Sequence, residues 1–414
     1  MNASVRVVVV DAISSGRLFG AEIRDRGWES VHVQSIDPMH PDDVPSFIAA
    51  DHIANIIFDG DLERCARRVQ AFEPVCVIAG SESGVQLADL LSERLGLATN
   101  GTALSAARRN KFEMHRALAA AGVPSIPSRM SDSWKEVEAW VNEQLPVVVK
   151  PPSSGGTEQV FICPTTDRAR DAFHAILGGT NTFGEKNEKV LVQRFLSGTE
   201  YQVNGASCNG KLCVTDIWRA DKIRGEHPLY ECLEVLSSRG SVQDQIVPYA
   251  AAVLEALGIR YGASHMELML TDRGPILIEV GARPTGQSVQ PPCELVTGVN
   301  QIKVTLDGYL APEQFLARAA QPYELRKRFQ RVELISPRAG LLRALPRLED
   351  VRGLRSFHAV RVYVQPGHPI PKTIDLLTIP GFVDLIHEDP AVVDADHRLL
   401  RQWEADDFYE IAAS

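Results

Sequence analysis

The sequence has few of the features that mark a disulfide-stabilised, zinc-binding or membrane-bound protein. Its seven cysteines are odd in number and scattered, and none forms a Cys-x-x-Cys pair, which argues against a disulfide framework or a zinc site. We expect most of them to be small core residues. No apolar run approaches about 18 residues, and the N-terminus lacks the basic region and cleavage site of a signal peptide. These absences predict a cytoplasmic protein without a membrane partner.

Basic residues are also in the minority. The 414 residues include 43 Lys and Arg against 53 Asp and Glu, a formal net charge of −10, and the basic residues are dispersed. Because clustered cations supply most nucleic-acid affinity, we expect a small-molecule substrate and no nucleic-acid partner. Hydrophobic residues make up 44% and charged residues 23%, which is typical of globular proteins. A chain of this length predicts two or three domains.

The first hundred residues alternate apolar runs with helical patterns, the βαβ rhythm of a parallel sheet. No Gly-x-Gly-x-x-Gly follows the first strand, so a dinucleotide fold is weakly supported. A later strand ends in "AGSESG" at 79–84, and ligands of open α/β sheets bind beyond such strand ends. Glu82 in this segment is expected either to face a substrate or only to complement the dipole of the following helix.

The rhythm changes after a basic helix predicted over about 103–121. The strands that follow are joined mostly by short Gly or Asp turns, which indicates antiparallel sheets. In the last hundred residues, prolines divide the chain into short elements. We assign no chemistry to that part of the sequence.

Two strands, "HMELML" and "ILIEV", flank a short turn and should form a hairpin. The turn geometry places Glu267 opposite Glu279, with Leu277 and Glu279 in one row. Two opposed carboxylates repel each other, and a partly buried carboxylate is costly unless a cation neutralises it. Mg²⁺, which takes one or two carboxylates and completes its shell with phosphate oxygens and water, would do so; Arg283 is the simpler alternative.

Lys150 ends a strand and precedes "PPSSGGT" at 151–157. Glycines let the backbone approach a ligand closely, and successive N–H groups of such a loop form an anion-binding concavity. The loop differs from a Walker A motif because it leads into a strand. It is interpreted as a flexible flap over phosphates, with Lys150 and Lys111 as candidate cations.

A further hairpin, "VLVQRFLSGTE", has the residue types that a nucleoside needs. An adenine requires an apolar slot with a backbone carbonyl and amide at its edge, and a ribose requires a carboxylate for its hydroxyls. Phe195, Leu196 and Glu200 can supply these groups, although the segment alone would be an ordinary hairpin.

Together and in this order, these segments resemble the ATP-grasp superfamily of carboxylate–amine ligases, from the N-terminus to about residue 290. The forms "EVGARPTG", "HMEL" and "GSESG" are more similar to the L-amino acid ligases, the dipeptide synthetases of the bacilysin and dapdiamide type. The resemblance implies an ATP-grasp fold of mixed α/β and α+β class. It implies a parallel α/β domain over 1–100, an ATP-grasp region over 101–300 with a lid at about 125–200, and a C-terminal part over 301–414 that completes the catalytic domain.

The resemblance also implies roles for individual residues. ATP would be bound by Lys111, Lys150, Ser153, Ser154, Gly155, Gly156, Thr157, Gln193, Arg194, Phe195, Leu196 and Glu200. A metal ion, Mg²⁺ or Mn²⁺ in its place, would be held by Glu267 and Glu279. The substrate would be contacted by Glu82, His227, Arg283, Gly286 and Gln287, with Lys150 and Arg283 also acting in catalysis. Gln193 stands where many members have Glu, and Gly281 where many have Asn, which removes one possible metal ligand.

The implied reaction joins the carboxylate of one L-amino acid, or an amino-acid-like acid, to the amine of another through an acyl-phosphate, with ADP and phosphate as products. Phosphoryl transfer requires positioning and charge neutralisation, which suits a site of cations, carboxylates and backbone amides. The attacking amine must lose a proton, for which His227 and His265 are candidates.

Other functions remain open from the sequence. One is an ATP-grasp ligase or carboxylating enzyme for a purine precursor, biotin or another carboxylate. Another is an NAD-dependent enzyme, or a nucleotide-binding regulator without turnover. A homodimer is possible by the same resemblance.

Overall fold

The computed structural model describes residues 4–41, 43–154, 158–181, 184–223, 229–375 and 378–412. Within these ranges no helix combines the length and the apolar character needed to cross a bilayer. The chain forms a parallel sheet near the N-terminus, a small antiparallel sheet, and a large antiparallel sheet with a minor one beside it. The predicted mixture of α/β and α+β elements is therefore confirmed.

The N-terminal sheet is parallel, as its sequence pattern predicts. Its strands are β1 (Arg6–Val10), β2 (Glu29–Gln34), β3 (Ala54–Ile57) and β4 (Cys76–Ala79), and its helices are α1 (Leu18–Asp25), α2 (Leu62–Gln70) and α3 (Val85–Arg94). The strands lie in the order β3-β2-β1-β4. Val8 and Val10 pack on one face, and Val7 and Val9 on the other, which explains the continuous apolar run of β1.

The small antiparallel sheet lies within the predicted lid. Its strands are β5 (Ser128–Ser131), β6 (Val147–Lys150), β7 (Phe161–Cys163) and β8 (Val190–Arg194), and its helices are α5 (Trp134–Gln144) and α6 (Thr166–Ile176). The strand order is β5-β8-β6-β7. The helices pack their apolar faces on the sheet around Phe173.

The prediction of a single basic helix over about 103–121 is wrong. The chain forms a short 3-10 turn (Ala106–Arg108) and then the helix α4 (Lys111–Ala120). Asn110 separates the two, because its side chain accepts hydrogen bonds from the backbone N–H groups of Phe112 and Glu113 and so caps α4. The cap fixes Lys111 at the first position of α4.

The large sheet contains strands from the middle and the end of the chain. Its strands are β9 (Thr199–Cys208), β10 (Lys211–Ile223), β11 (Leu229–Val235), β12 (Gly262–Thr271), β13 (Gly274–Gly281), β14 (Arg328–Glu333), β16 (Phe357–Val362) and β18 (Gly381–His387). Their order, in the part of the chain that the structure describes, is β13-β12-β9-β10-β11-β14-β18-β16, with every pair antiparallel. The antiparallel prediction is confirmed, although sequence analysis did not identify β11, β14, β16 or β18.

The remaining elements are helices and three strands that form a small separate sheet. They are the strands β15 (Gly340–Ala344), β17 (Pro369–Ile370) and β19 (Glu410–Ala412), and the helices α7 (Gln243–Ala256), α8 (Gln290–Thr297), α9 (Gln301–Leu310), α10 (Pro312–Ala319), α11 (Leu348–Arg352) and α12 (Pro390–Asp406). The three strands lie in the order β17-β15-β19. All seven cysteines are buried and unpaired, as expected for core residues. Of the C-terminal strands, β14, β16 and β18 share the large sheet with the predicted metal-binding hairpin.

Candidate active site

The hairpin of β12 and β13 places Glu267 directly opposite Glu279, as the sequence predicts. The register shifts by one residue next to this pair, so that Leu268 is opposite Leu277. Both leucines are fully buried in the core, whereas both glutamates line a cavity on the other face. The prediction that Leu277 and Glu279 share one row is wrong, because the bulge at Ile278 adds a residue and interrupts the alternation of side chains.

Lys111 is buried beside this carboxylate pair. Its Nζ lies 2.8 Å from Glu279 Oε2 and donates a hydrogen bond to the Ser154 carbonyl at 2.7 Å. The backbone N–H of Lys111 also donates to the Pro152 carbonyl, at 2.9 Å. Lys111 therefore joins the start of the predicted phosphate loop to the acidic hairpin, and it is not an exposed helix lysine.

Lys150, at the end of β6, completes a buried cluster of charges. Burial and the nearby charge of Lys111 lower the pKa of Lys150 to about 8, although Glu279 and Glu267 oppose the shift. Burial alone would raise the pKa of Glu279, but Lys111, Lys150 and Arg283 together hold it below its usual range. The ionised Glu279 is thus stabilised by cations in the absence of a metal ion.

The Glu82 side chain forms an ion pair with Arg283 at the cavity, so its role is not limited to complementing the dipole of α3. Arg283 Nε donates to Glu82 Oε2 at 3.0 Å, and Arg109 Nη1 donates to the Glu82 carbonyl at 3.0 Å. A Cβ atom at Gly281 would lie 2.8 Å from Glu82 Oε2 and 3.1 Å from Arg283 Nε. The glycine at 281 therefore leaves room for this ion pair. Arg109 was not singled out from sequence, although it lies two residues before Lys111 in "RRNK".

His265 holds Glu267 in place. Its Nδ1 is 2.7 Å from Asn204 Oδ1, and its Nε2 is 3.2 Å from Glu267 Oε1. Asn204 in turn donates to the buried Asp216 at 2.5 Å, which also accepts from Trp218 Nε1 at 2.6 Å. With one ring nitrogen at Asn204 and the other at Glu267, His265 is placed to position the Glu267 carboxylate. The other candidate base, His227, lies outside the described residues.

The predicted adenine-binding residues lie where the chain passes from β8 to β9. The buried Gln193 donates from Nε2 to Ser128 Oγ at 3.0 Å. The backbone N–H groups of Arg194 and Phe195 donate to the carbonyls of residues 127 and 146, at 3.1 and 3.0 Å. Leu196 is partly buried beside them. These contacts fix the backbone of the hinge between the lid and the large sheet.

Glu200, the predicted ribose ligand, lies buried at the start of β9. It accepts hydrogen bonds from Lys222 Nζ at 2.7 Å and from the Tyr230 hydroxyl at 2.5 Å. Burial raises the pKa of Glu200, and Lys222 opposes the shift. Glu200 is therefore a paired carboxylate in this structure.

Only part of the predicted phosphate loop is described. The Ser153 carbonyl accepts from Asn181 Nδ2 at 2.7 Å, and Ser154 lines the cavity. Gly155, Gly156 and Thr157 lie outside the described residues.

A cavity of about 650 Å³ brings together several of these groups, namely Glu82, Lys111, Ser154, Glu267, Glu279 and Arg283, but its lining does not include Lys150, Glu200 or residues 193–196. Its lining includes the loops that follow β1 and β4, the acidic hairpin, and the predicted substrate residues Gly286 and Gln287. Gln287 has a positive φ of 60°, and its Oε1 accepts from Arg331 Nη1 at 2.9 Å. Glu333 also lines the cavity, from the part of the chain in which sequence analysis assigned no chemistry. The single feature that could have indicated it is a glutamate within an apolar, alternating segment, "FQRVELI".

The donor set of the hairpin suits a hard divalent cation. Among the described residues, no three His, Cys, Asp or Glu side chains converge as a metal-binding group. Glu267 and Glu279 provide two carboxylates on facing strands. Mg²⁺ commonly binds through one or two carboxylates and retains water and phosphate oxygens, so these residues fit that ion.

Comparisons with known proteins show which sequences and folds the chain is similar to. Residues 143–291 match the model of an ATP-grasp domain. The chain is 34% identical over 424 residues to dapdiamide A synthase of Enterobacter agglomerans, covering 99% of this chain and 98% of that protein. The L-amino acid ligase from Bacillus licheniformis has a similar fold, with a TM-score of 0.75 and 18% identity over the whole of both chains. Carboxyaminoimidazole ribonucleotide synthase from Aspergillus clavatus, complexed with ATP, has a TM-score of 0.68 and 13% identity over 98% and 99% of the two chains.

Proposed function

The chain belongs to the ATP-grasp carboxylate–amine ligases, and from this premise we propose that it joins the carboxylate of one L-amino acid, or an amino-acid-like acid, to the amine of another. It is an ATP-dependent ligase that forms an amide bond, in a family that uses ATP with a divalent metal. The proposal rests mainly on the pair of Glu82 and Arg283, which lines one cavity with the Lys111–Glu279 cluster. A carboxylate beside a guanidinium complements the ammonium and carboxylate groups of an amino acid.

We assign the first step to the cluster of lysines and glutamates. Lys111 and Lys150 would bind phosphate oxygens, and Glu267 and Glu279 would hold Mg²⁺, or Mn²⁺ in its place. When bound, the metal ion neutralises charge on the phosphates. Arg283 would hold the substrate carboxylate, or the acyl-phosphate formed from it, beside these groups. Attack of the carboxylate on the γ-phosphate then gives the acyl-phosphate and ADP.

The second step forms the amide bond. The amine of the second substrate attacks the acyl carbon, the C–O bond to phosphate breaks, and the amine loses one proton. Water must be excluded meanwhile, and the loop at 151–157 would cover the site. We assign Gln193, Arg194, Phe195 and Leu196 to the adenine and Glu200 to the ribose. Gly286, Gln287 and Glu82 would line the pocket of the first amino acid.

The test is release of phosphate from ATP and Mg²⁺ across a matrix of single and paired L-amino acids, with mass spectrometry of the products. Release that requires amino acids, together with a dipeptide mass, is the expected result. Lys150→Ala and Glu279→Ala should abolish ADP formation and keep the fold, whereas the exposed Glu410→Gln should be fully active. Full activity of either cluster variant would refute the assignment. ADP release with a purine precursor and with no amino acid would favour the alternative that the fold similarity also allows.

A further inference from the structure

Glu333 is a buried carboxylate at the end of β14. Its side chain is fully buried and lines the same cavity as the acidic hairpin. Neither of its carboxylate oxygens has a hydrogen-bond partner among the described residues. A buried polar group normally has a partner, and one without a partner costs free energy, so this carboxylate requires an explanation.

The nearest cations bind other carboxylates. Arg331, on the same strand, donates to both oxygens of Asp384 at 2.8 Å. Arg401, on α12, pairs with Glu404 and donates to the Glu231 carbonyl. Two arginines thus face the three carboxylates of Glu333, Asp384 and Glu404. When Glu333 is ionised, one negative charge is therefore left over among these five described side chains.

This charge makes the site receptive to a cation. Burial raises the pKa of Glu333 to about 7, although Arg331 opposes the shift. The carboxyl group is therefore partly ionised at neutral pH, and a bound cation would favour the ionised form. The other titratable or charged groups that interact electrostatically with it are Arg331, Asp384, Arg401 and Tyr363, and Arg401 is itself paired with Glu404.

Glu333 is too far along the sheet to act at the phosphates. Between β13, which carries Glu279, and β14 lie four strands, so five interstrand steps separate them. Arg331, two residues before Glu333, nevertheless contacts the loop that follows Arg283, through its hydrogen bond to Gln287. The reacting amine and carboxylate must lie near Arg283 and Glu279. Glu333 can therefore reach only the remote end of a substrate.

We propose that Glu333 binds a positively charged nitrogen group, an ammonium or a guanidinium, at the remote end of the side chain of an amino acid substrate. The inference rests on the proposed function, because it names a subsite of the same cavity. Arg331 connects Gln287, in the predicted substrate pocket, with the surroundings of Glu333. It donates a hydrogen bond to Gln287 at 2.9 Å and forms an ion pair with Asp384. Glu333 would thus determine which side chains the enzyme accepts.

The experiment compares side chains that differ in charge but little in shape. Binding of arginine against citrulline, and of lysine against norleucine, is measured by calorimetry on the full chain with no turnover required. Wild type should bind at least one cationic member about tenfold more tightly, and Glu333→Gln should reduce that ratio to about one. Glu410→Gln, an exposed change in the same part of the chain, should leave the ratio as in wild type.

The pH dependence adds a second readout. Affinity for the cation should increase as pH rises through about 7 in wild type, because Glu333 becomes ionised, and should stay flat in Glu333→Gln. Equal binding of cationic and neutral partners by wild type, or a ratio that persists in Glu333→Gln, would overturn the inference. Absence of ADP formation with every amino acid would instead refute the proposed function, and the binding ratios would still decide the role of Glu333.

Discussion

Removing the charge of Glu333 should stabilise the protein, and by an amount that depends on pH. The pKa of this carboxyl group is raised from 4.5 to about 7 in the folded protein. Between these two values the folded chain keeps a proton that the unfolded chain has released. The protonated carboxyl group of Glu333 therefore makes its full contribution to folding stability below pH 4.5. This contribution is lost as the pH rises through about 7.

The magnitude follows from the size of the shift. Each pKa unit corresponds to about 1.36 kcal/mol, so a shift of this size amounts to roughly 3 kcal/mol between pH 4.5 and pH 8. Glutamine has nearly the same shape and does not titrate. The free energy of unfolding of Glu333→Gln minus that of wild type should therefore increase by about this amount over the same pH range.

The assay is urea unfolding followed by circular dichroism at pH 5, 6, 7 and 8 for wild type, Glu333→Gln and Glu410→Gln. Subtracting wild type at each pH cancels the titration of the groups that do not interact with Glu333. The difference should rise with pH for Glu333→Gln and stay constant for Glu410→Gln, whose side chain is exposed. A difference for Glu333→Gln that is constant from pH 5 to 8 would show that the carboxylate has a partner or solvent in the folded state, which would refute the reasoning.

Two further predictions concern the reaction site. In Gly281→Ala the new Cβ would displace Glu82 from Arg283, so the KM for the amino acid should rise about tenfold. The KM for ATP and the melting temperature should change little. Unchanged amino acid kinetics would contradict this prediction. Lys150 loses its charge above a pKa of about 8, so the KM for ATP should rise between pH 8 and pH 9.5 in wild type but not in Lys150→Arg. Identical pH profiles for the two proteins would argue against a phosphate contact of Lys150.

The features that sequence predicted well are local ones. Glu267 and Glu279 lie on two strands joined by a tight turn, so a short stretch of chain determines their pairing. The bulge at Ile278 could not be read in the same way, because it adds one residue without a distinctive composition. The wrong prediction was that Leu277 and Glu279 share one face of the sheet, because the face on which Leu277 lies depends on the position of the bulge.

The features that sequence missed depend on distant segments. The burial of Lys111 depends on two groups from distant parts of the chain. The Ser154 carbonyl approaches it from the loop after β6, and the Glu279 carboxylate approaches it from β13. Likewise, Glu333 reaches the cavity only because β14 inserts between β11 and β18, which lie about a hundred residues before it and fifty after it. No periodicity within one segment carries such information.

The buried carboxylates at the two ends of the cavity differ in whether cations neutralise them, and this difference indicates what kind of substrate would fit. At one end, Lys111 and Lys150 already neutralise Glu279, so bound phosphates with a divalent cation would add charge of both signs and keep the balance. At the other end, Glu333 has no hydrogen-bond partner among the described residues, and the two arginines near it pair with other carboxylates. A substrate with a neutral side chain would leave that carboxylate either protonated or unpaired, whereas a cationic side chain would compensate it. The charge distribution therefore favours a substrate that is positively charged at the end remote from the bond being formed.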